Sequence, residues 1–155
     1  MHYRPYRPED FDQLYALEEV CFSPRDRFSS GYMRQLILQP NAATWIAEEN
    51  ERMCGFALAE WAQEPSGIEA YIQTLEVMPQ ARGQGVGGEL LRALERSARG
   101  AGAEAMWLHV EATNGAAIRL YAAHGYELEG REEGYYGRNR TALIYAKSLR
   151  ADEPV

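Results

Sequence analysis

The segment with the clearest chemistry is Arg82-Gly83-Gln84-Gly85-Val86-Gly87-Gly88, which holds four glycines in six residues. Glycines between a strand and a helix let backbone N–H groups point outward with no side chain in the way. The helix start adds partial positive charge, so such a loop favours an anion, above all a diphosphate. So many glycines cost chain entropy unless the loop has a use. Arg82 supplies a full positive charge at the mouth. On either side lie groups that can hold or move a proton: Tyr71 and Glu76 before the loop, His109 and Tyr121 after it. A histidine titrates near ~6.5 and can accept a proton at neutral pH.

Two common diphosphate motifs fit poorly. A P-loop needs a lysine after its glycines, and none follows here. Gly83-x-Gly85-x-x-Gly88 formally matches the dinucleotide fingerprint, with Glu111 placed where a ribose ligand would be. That fingerprint begins where its strand ends, whereas Pro79 to Arg82 intervene here. It also sits mid-chain after antiparallel strands, with too little chain following for the rest of a dinucleotide-binding sheet.

The elements that must position these residues follow from periodicity. A short strand is expected at 3–7. A helix from Pro8 to Cys21 carries Phe11, Leu14, Leu17 and Cys21 at helical spacing, and a second runs from about Ser29 to Leu38. Strand-like runs follow at Ala43–Glu48, Met53–Trp61 and Glu69–Met78, the first two joined by the polar turn Glu49-Asn50-Glu51-Arg52. The glycine loop then opens a helix bearing Val86, Leu90, Leu91, Leu94 and Ala98, stopped by Gly100 and Gly102. A strand at Ala105–Val110, a helix at Asn114–His124 and strands near Glu127–Glu132 and Ala142–Ser148 complete the order. This is a mixed α/β (α+β) pattern: a central twisted mixed sheet flanked by helices, in one domain over residues 1–150 with a frayed tail at 151–155.

Composition narrows the function. The 155 residues are 46% hydrophobic and 25% charged, as in an ordinary globular protein. The net charge of −7 argues against a nucleic-acid partner and suits a cationic one, such as an amine. There is no apolar run long enough to span a membrane and no signal-peptide core at the start, so a cytoplasmic protein is expected. Cys21 and Cys54 are expected to be small buried hydrophobes, and neither they nor the histidines have metal-site spacing, so no metal is expected. Trp45, Trp61 and Trp107 are expected in the core, and Glu60 and Glu64 on a solvated surface.

Val77-x-Pro79 followed by Arg82-x-x-Gly85-x-Gly87 resembles the acetyl-CoA signature of the GNAT family of N-acetyltransferases. A second family block is matched by Leu108-His109-Val110-Glu111-x-x-Asn114-x-x-Ala117-x-x-Leu120-Tyr121 and then Gly125-Tyr126. The two blocks cover roughly residues 70–130, in the family's order. Within the family the chain is similar to the branch of ribosomal-protein alanine (RimI-like) and protein N-terminal acetyltransferases, through Leu108-His109-Val110, Asn114 and the late Arg131-x-x-x-Tyr135-Tyr136. It departs from that branch at Arg140-Thr141-Ala142, where an acidic residue is usual.

The resemblance implies acetyl-CoA as co-substrate and direct transfer to a primary amine, with no covalent enzyme intermediate. It implies that the backbone of Arg82, Gly83, Gly85, Val86 and Gly87 holds the pyrophosphate. The main chain near Val77, where strands splay, would bond the acetyl carbonyl, and Asn114 would contact CoA or nearby backbone while also able to cap its helix. Tyr121 would sit by the CoA sulfur and donate a proton or hydrogen bond to the thiolate. His109 is the candidate general base, Glu76 its competitor and Tyr71 a minor contender. Phe22, Tyr71, Tyr135 and Tyr136 would line the acceptor groove.

Basicity bears on the acceptor. An α-amino group near pKa ~8 is substantially neutral at working pH, whereas lysine near ~10.4 must lose a proton at greater cost. One modest base therefore suits a protein N-terminus. The alternatives are a small amine (a polyamine, amino acid or aminoglycoside) and a non-catalytic acyl-CoA-binding sensor. The assembly is expected to be a monomer or homodimer.

Overall fold

The computed structural model describes residues 1–150. The frayed tail expected at 151–155 lies outside the described residues. Seven strands form one sheet: β1 (His2–Pro5), β2 (Ala42–Glu49), β3 (Arg52–Glu64), β4 (Gly67–Val77), β5 (Ala105–Glu111), β6 (Glu127–Gly137) and β7 (Arg140–Ser148). Their spatial order is β1-β2-β3-β4-β5-β7-β6. All neighbours are antiparallel except β4 and β5, whose parallel pairing covers only Glu69–Tyr71 against Ala105–Trp107. Beyond that seam the two strands part.

Four helices cover the faces: α1 (Phe11–Cys21), α2 (Ser30–Leu38), α3 (Val86–Gly100) and α4 (Gly115–Ala123). Phe11, Leu14 and Leu17 of α1 and Met33 and Leu36 of α2 bury against Ile46, Phe56 and Leu58 on one face. On the other face Val86, Leu90, Leu91 and Leu94 of α3 pack with Ile72, Met106, Leu108 and Val110, and Tyr121 of α4 joins them.

Local chemistry explains the boundaries. Ser29 caps α2 by accepting from the Tyr32 N–H. The β2–β3 turn places both Asn50 and Glu51 at positive φ, as a tight two-residue hairpin requires. α3 continues through Gly100, and it is Gly102, at φ +90°, that ends it. β6 runs to Gly137 instead of stopping near Glu132, so Tyr135 and Tyr136 lie on the strand itself. The reason is a bulge: Glu132 pairs with Ala142 and Gly137 with Arg140, which leaves several β6 residues unmatched.

Candidate active site

A second bulge decides which side chains meet. On β3–β4, Leu58 pairs with Thr74 and Ala59 with Ile72, so Gln73 is an extra residue. The bulge resets the in–out alternation. Tyr71 before it and Thr74 and Glu76 after it therefore share the face covered by α1 and α2, while Ile72, Leu75 and Val77 pack toward α3. On β5 the same alternation buries Met106, Leu108 and Val110 on the α3 side and turns His109 the other way.

On that second face opens a cleft of ≈ 860 Å³. Phe22, Tyr71, His109, Asn114, Tyr121, Tyr135 and Tyr136, all expected from sequence, line it together. Trp61 and Trp107 line it too, as do Glu60 and Glu64; Trp61, like Trp45, also packs half-buried against the core on the α3 side. Both cysteines are free and only partly buried.

His109 is the hub. Its Nδ1 lies 2.8 Å from the Tyr71 hydroxyl and its Nε2 3.1 Å from Glu132 Oε1. An ionised carboxylate can only accept, so Nε2 carries the hydrogen and Nδ1 accepts from Tyr71. The Tyr135 ring stacks on the imidazole at 4.2 Å with an interplanar angle of 10°. Burial, and after it the neighbouring Tyr135, push the Tyr71 phenol well above its ordinary range. Tyr71 thus keeps its proton unless His109 takes it.

Glu76 is differently placed. It is 3% exposed, accepts from Thr74 Oγ1 at 2.7 Å and does not line the cleft. Burial first, then the neighbouring Glu18, push its carboxyl well above the carboxylate range. Burial and the neighbouring acid thus favour the protonated form of Glu76, and Glu18 Oε1 and Glu76 Oε1 are both buried without a hydrogen-bond partner among the described residues. Glu18 in turn accepts the Phe28 N–H at 2.9 Å, tying α1 to the segment before α2.

Tyr121 is 6% exposed, and burial, with Tyr136 second, raises its phenol above the ordinary range. It stands as a hydrogen-bond donor, not as a ready acid. Asn114 Oδ1 caps α4 by accepting from the Ala117 N–H at 3.2 Å.

The glycine loop lies outside this cleft, on the far side of the splayed strands. Gly85 takes φ +82° as the N-cap of α3, where it offers no side-chain acceptor to the first-turn amides. A Cβ at Gly88 would stand 2.9 Å from His124 Nε2, so this glycine lets α3 approach α4. The loop amides therefore fit a pyrophosphate, held by main chain at a helix start. Arg82 differs from expectation. Its Nε donates to the Val77 carbonyl at 3.0 Å, so the guanidinium turns back along the loop instead of standing free at the mouth. The Met78 N–H donates to Cys54 O on β3, so ladder alternation turns the Val77 N–H and C=O away from β3, into the gap beside β5. Among the described residues no group of three or more His, Cys, Asp or Glu could hold a metal ion. No helix among them is long and apolar enough to cross a membrane.

Three features escaped the sequence. Glu18 and Glu132 gave no signal, because each acquires its partner only through long-range packing. Arg140 stood out only as an unusual residue. In the fold it clamps two acids, with bonds of 2.9 Å to each Glu111 oxygen and 2.9 and 3.1 Å to Asp26. It thereby joins the α1–α2 loop to β5 and β7 across the cleft, and it holds both carboxyls below their ordinary range.

Splayed central strands thus separate a glycine-rich helix start with no side-chain cap from a cleft lined by histidine and tyrosines. The model of the acetyltransferase (GNAT) family matches residues 11–126, and the chain belongs to that family. Its curated relatives include N-acetyltransferases. It is 34% identical over 133 residues to aminoalkylphosphonate N-acetyltransferase of Salmonella typhimurium, covering 77% of this chain and 80% of the relative. It is 27% identical to N-alpha-acetyltransferase RimI of Mycobacterium tuberculosis, covering 92% and 87%. Among eight curated relatives, the chain spans from 44% to 91% of the relative's own length. The fold matches the crystal structure of Arabidopsis thaliana NAA60 in complex with acetyl-CoA with a TM-score of 0.82 at 22% identity, covering 95% of this chain and 97% of that one.

Proposed function

We propose that the acceptor is the α-amine of a protein N-terminus, acetylated in the cytoplasm, with residues 1–150 acting as one domain. The observation that carries this is the Tyr71–His109 pair, 2.8 Å apart and set against Tyr135 and Tyr136 in an open cleft. A single modest base suits an amine that is already largely neutral at working pH. The cleft walls suit a chain-like acceptor, with Phe22 on one side and the paired tyrosines on the other. The similarity to N-alpha-acetyltransferase RimI of Mycobacterium tuberculosis supports the same acceptor.

Bound acetyl-CoA supplies the activated acetyl thioester. The amides of Gly83 to Gly87 hold its pyrophosphate, and the Val77 N–H offers a donor in the gap between β4 and β5, where charge on the acetyl oxygen would grow. Tyr71 passes its proton to His109 Nδ1 as it receives one from the amine, directly or through one water. Tyr121 donates a hydrogen bond to the departing sulfur. Glu76, sealed beneath the cleft with its proton in place, supports the fold and takes no part in proton transfer.

A small phosphonate-bearing amine is the second candidate, favoured by the 34% identity to the Salmonella enzyme. Thiol release from acetyl-CoA, screened against peptides of varied first residue, spermidine, free amino acids and aminoalkylphosphonates, separates the two. Turnover of peptides is expected. Turnover confined to small amines would overturn the N-terminal assignment.

A further inference from the structure

We propose that Glu132 is a positioning residue for the transfer: it fixes the tautomer of His109 and stabilises the imidazolium that forms. The proposal presupposes that His109 takes the amine proton.

The β6 bulge makes the arrangement possible. In the sheet, His109 pairs with Ile144, which pairs with Gly130, while Glu111 pairs with Ala142, which pairs with Glu132. Pairing partners share a face and alternate residues return to it, so His109, Glu111 and Glu132 all face the cleft side. A regular strand would deliver side chains to this face at every second residue. Here the bulge, with Gly134 at φ +72°, brings both Glu132 and Tyr135 onto one imidazole, the first at its edge and the second on its flat face. The edge contact orients the ring and the stacked ring keeps it from rotating.

The groups facing His109 come from three strands: Tyr71 of β4, the neutral Ile144 of β7, and Glu132 and Tyr135 of β6. Its own strand adds the Trp107 ring at 5.3 Å. The other nearby acid on this face, Glu111, is already occupied by Arg140. Glu132 is thus the one carboxylate in hydrogen-bond contact with the imidazole among the described residues.

With Nε2–H donated to Glu132, the lone pair on Nδ1 is directed at Tyr71. The opposite tautomer would put a hydrogen there and block the transfer. When the amine N–H bond breaks and the proton count on the relay rises by one, the imidazole becomes a cation next to an existing anion, and the pair is neutral overall. The histidine side chain is only 8% exposed, whereas that of Glu132 is 48% exposed. The imidazolium formed at the sealed end is therefore balanced by a carboxylate that reaches solvent, and the relay resets when the Nδ1 proton is lost, which restores the Nε2–H tautomer.

Two measurements test this, the first needing no turnover. In 15N-labelled full-length protein, with the His109→Gln spectrum used to assign the signal, the neutral imidazole should be the Nε2–H tautomer. In Glu132→Leu, which removes the acceptor at Nε2, the Nδ1–H form should gain population, read from the 15N shifts of the two ring nitrogens. An Nδ1–H tautomer in the wild type, or a tautomer ratio unmoved by the substitution, would overturn the proposal. In turnover, Glu132→Gln should lose about tenfold in kcat with KM and acetyl-CoA affinity retained, and its acid limb should move to lower pH. Glu132→Asp should recover part of the rate. Loss in KM alone with an unmoved limb would reduce Glu132 to a groove wall. If the wild type acetylates no acceptor while the tautomer and its response to the substitution are as stated, the acceptor assignment fails and the Glu132 pairing stands.

Discussion

The same face of the sheet carries two clusters of proton-holding groups, neighbours on β4 through Tyr71 and Glu76 and opposite in character. Tyr71, His109 and Glu132 form a chain with one end in the cleft and the other half in solvent. Glu18 and Glu76 form a closed pair with no route out. Both are perturbed by burial, so perturbation alone does not mark a catalytic group. What separates them is connection: the first cluster can gain a proton and lose it again, whereas the second can only keep the one it has. Experiments that treat the clusters alike should therefore give opposite results.

The largest expected effect is at the hub of the open cluster. His109→Gln should lower kcat/KM for the acceptor about 10²–10³-fold, within the usual contribution of a general base, with acetyl-CoA binding by calorimetry unchanged. Next comes the leaving-group side. Tyr121→Phe should cut kcat about 30-fold, roughly 2 kcal/mol, again with binding retained. A smaller effect is expected at the clamp between Asp26 and Glu111. Arg140→Ala should raise the acceptor KM about three- to fivefold with kcat little changed, and added salt should narrow the difference, because these ion pairs are near the surface.

The smallest effect on activity and the clearest on stability belongs to the closed pair. Glu76→Gln preserves the shape, can donate to Glu18 and can accept from Thr74. It should leave kcat within about twofold, less than 0.5 kcal/mol. A carboxyl whose folded-state pKa lies above its unfolded value supports the fold at low pH, and that support is lost as pH rises through the folded value. The Glu76 carboxyl is raised, so the substitution should increase the melting midpoint by about 2–4 °C at pH 8, and the gain should vanish near pH 4. A hundredfold loss of kcat in Glu76→Gln would erase the distinction between the two clusters.

Much of this was legible in the sequence because it depended on short-range pattern. The glycine loop, the amphipathic runs of α1 and α3, the Asn50 turn and the second block from Leu108 to Tyr126 each signal through spacing alone. The cleft residues Phe22, Tyr71, His109, Tyr121, Tyr135 and Tyr136 were expected and are brought together. What stayed hidden depends on register. The extra residue at Gln73 decides which way Glu76 faces, and no local propensity announces it. The β6 bulge likewise sends Glu132 to His109 across 23 positions of sequence. Arg140 appeared as an oddity, and its meaning needed Asp26, 114 positions away. The turned-back Arg82 shows the same limit, since a charge near an expected anion site can be engaged by a carbonyl beside it.

The short seam between β4 and β5 has a consequence for how the empty protein breathes. Their register stops at Tyr71, so Val77 has a neighbour on β3 but none on β5. Its amide, turned into the gap, should exchange with deuterated water far sooner than those of Phe56 or Leu58 in the same layer. Acetyl-CoA bound there should slow it, making one backbone hydrogen a sensor of whether the enzyme is loaded.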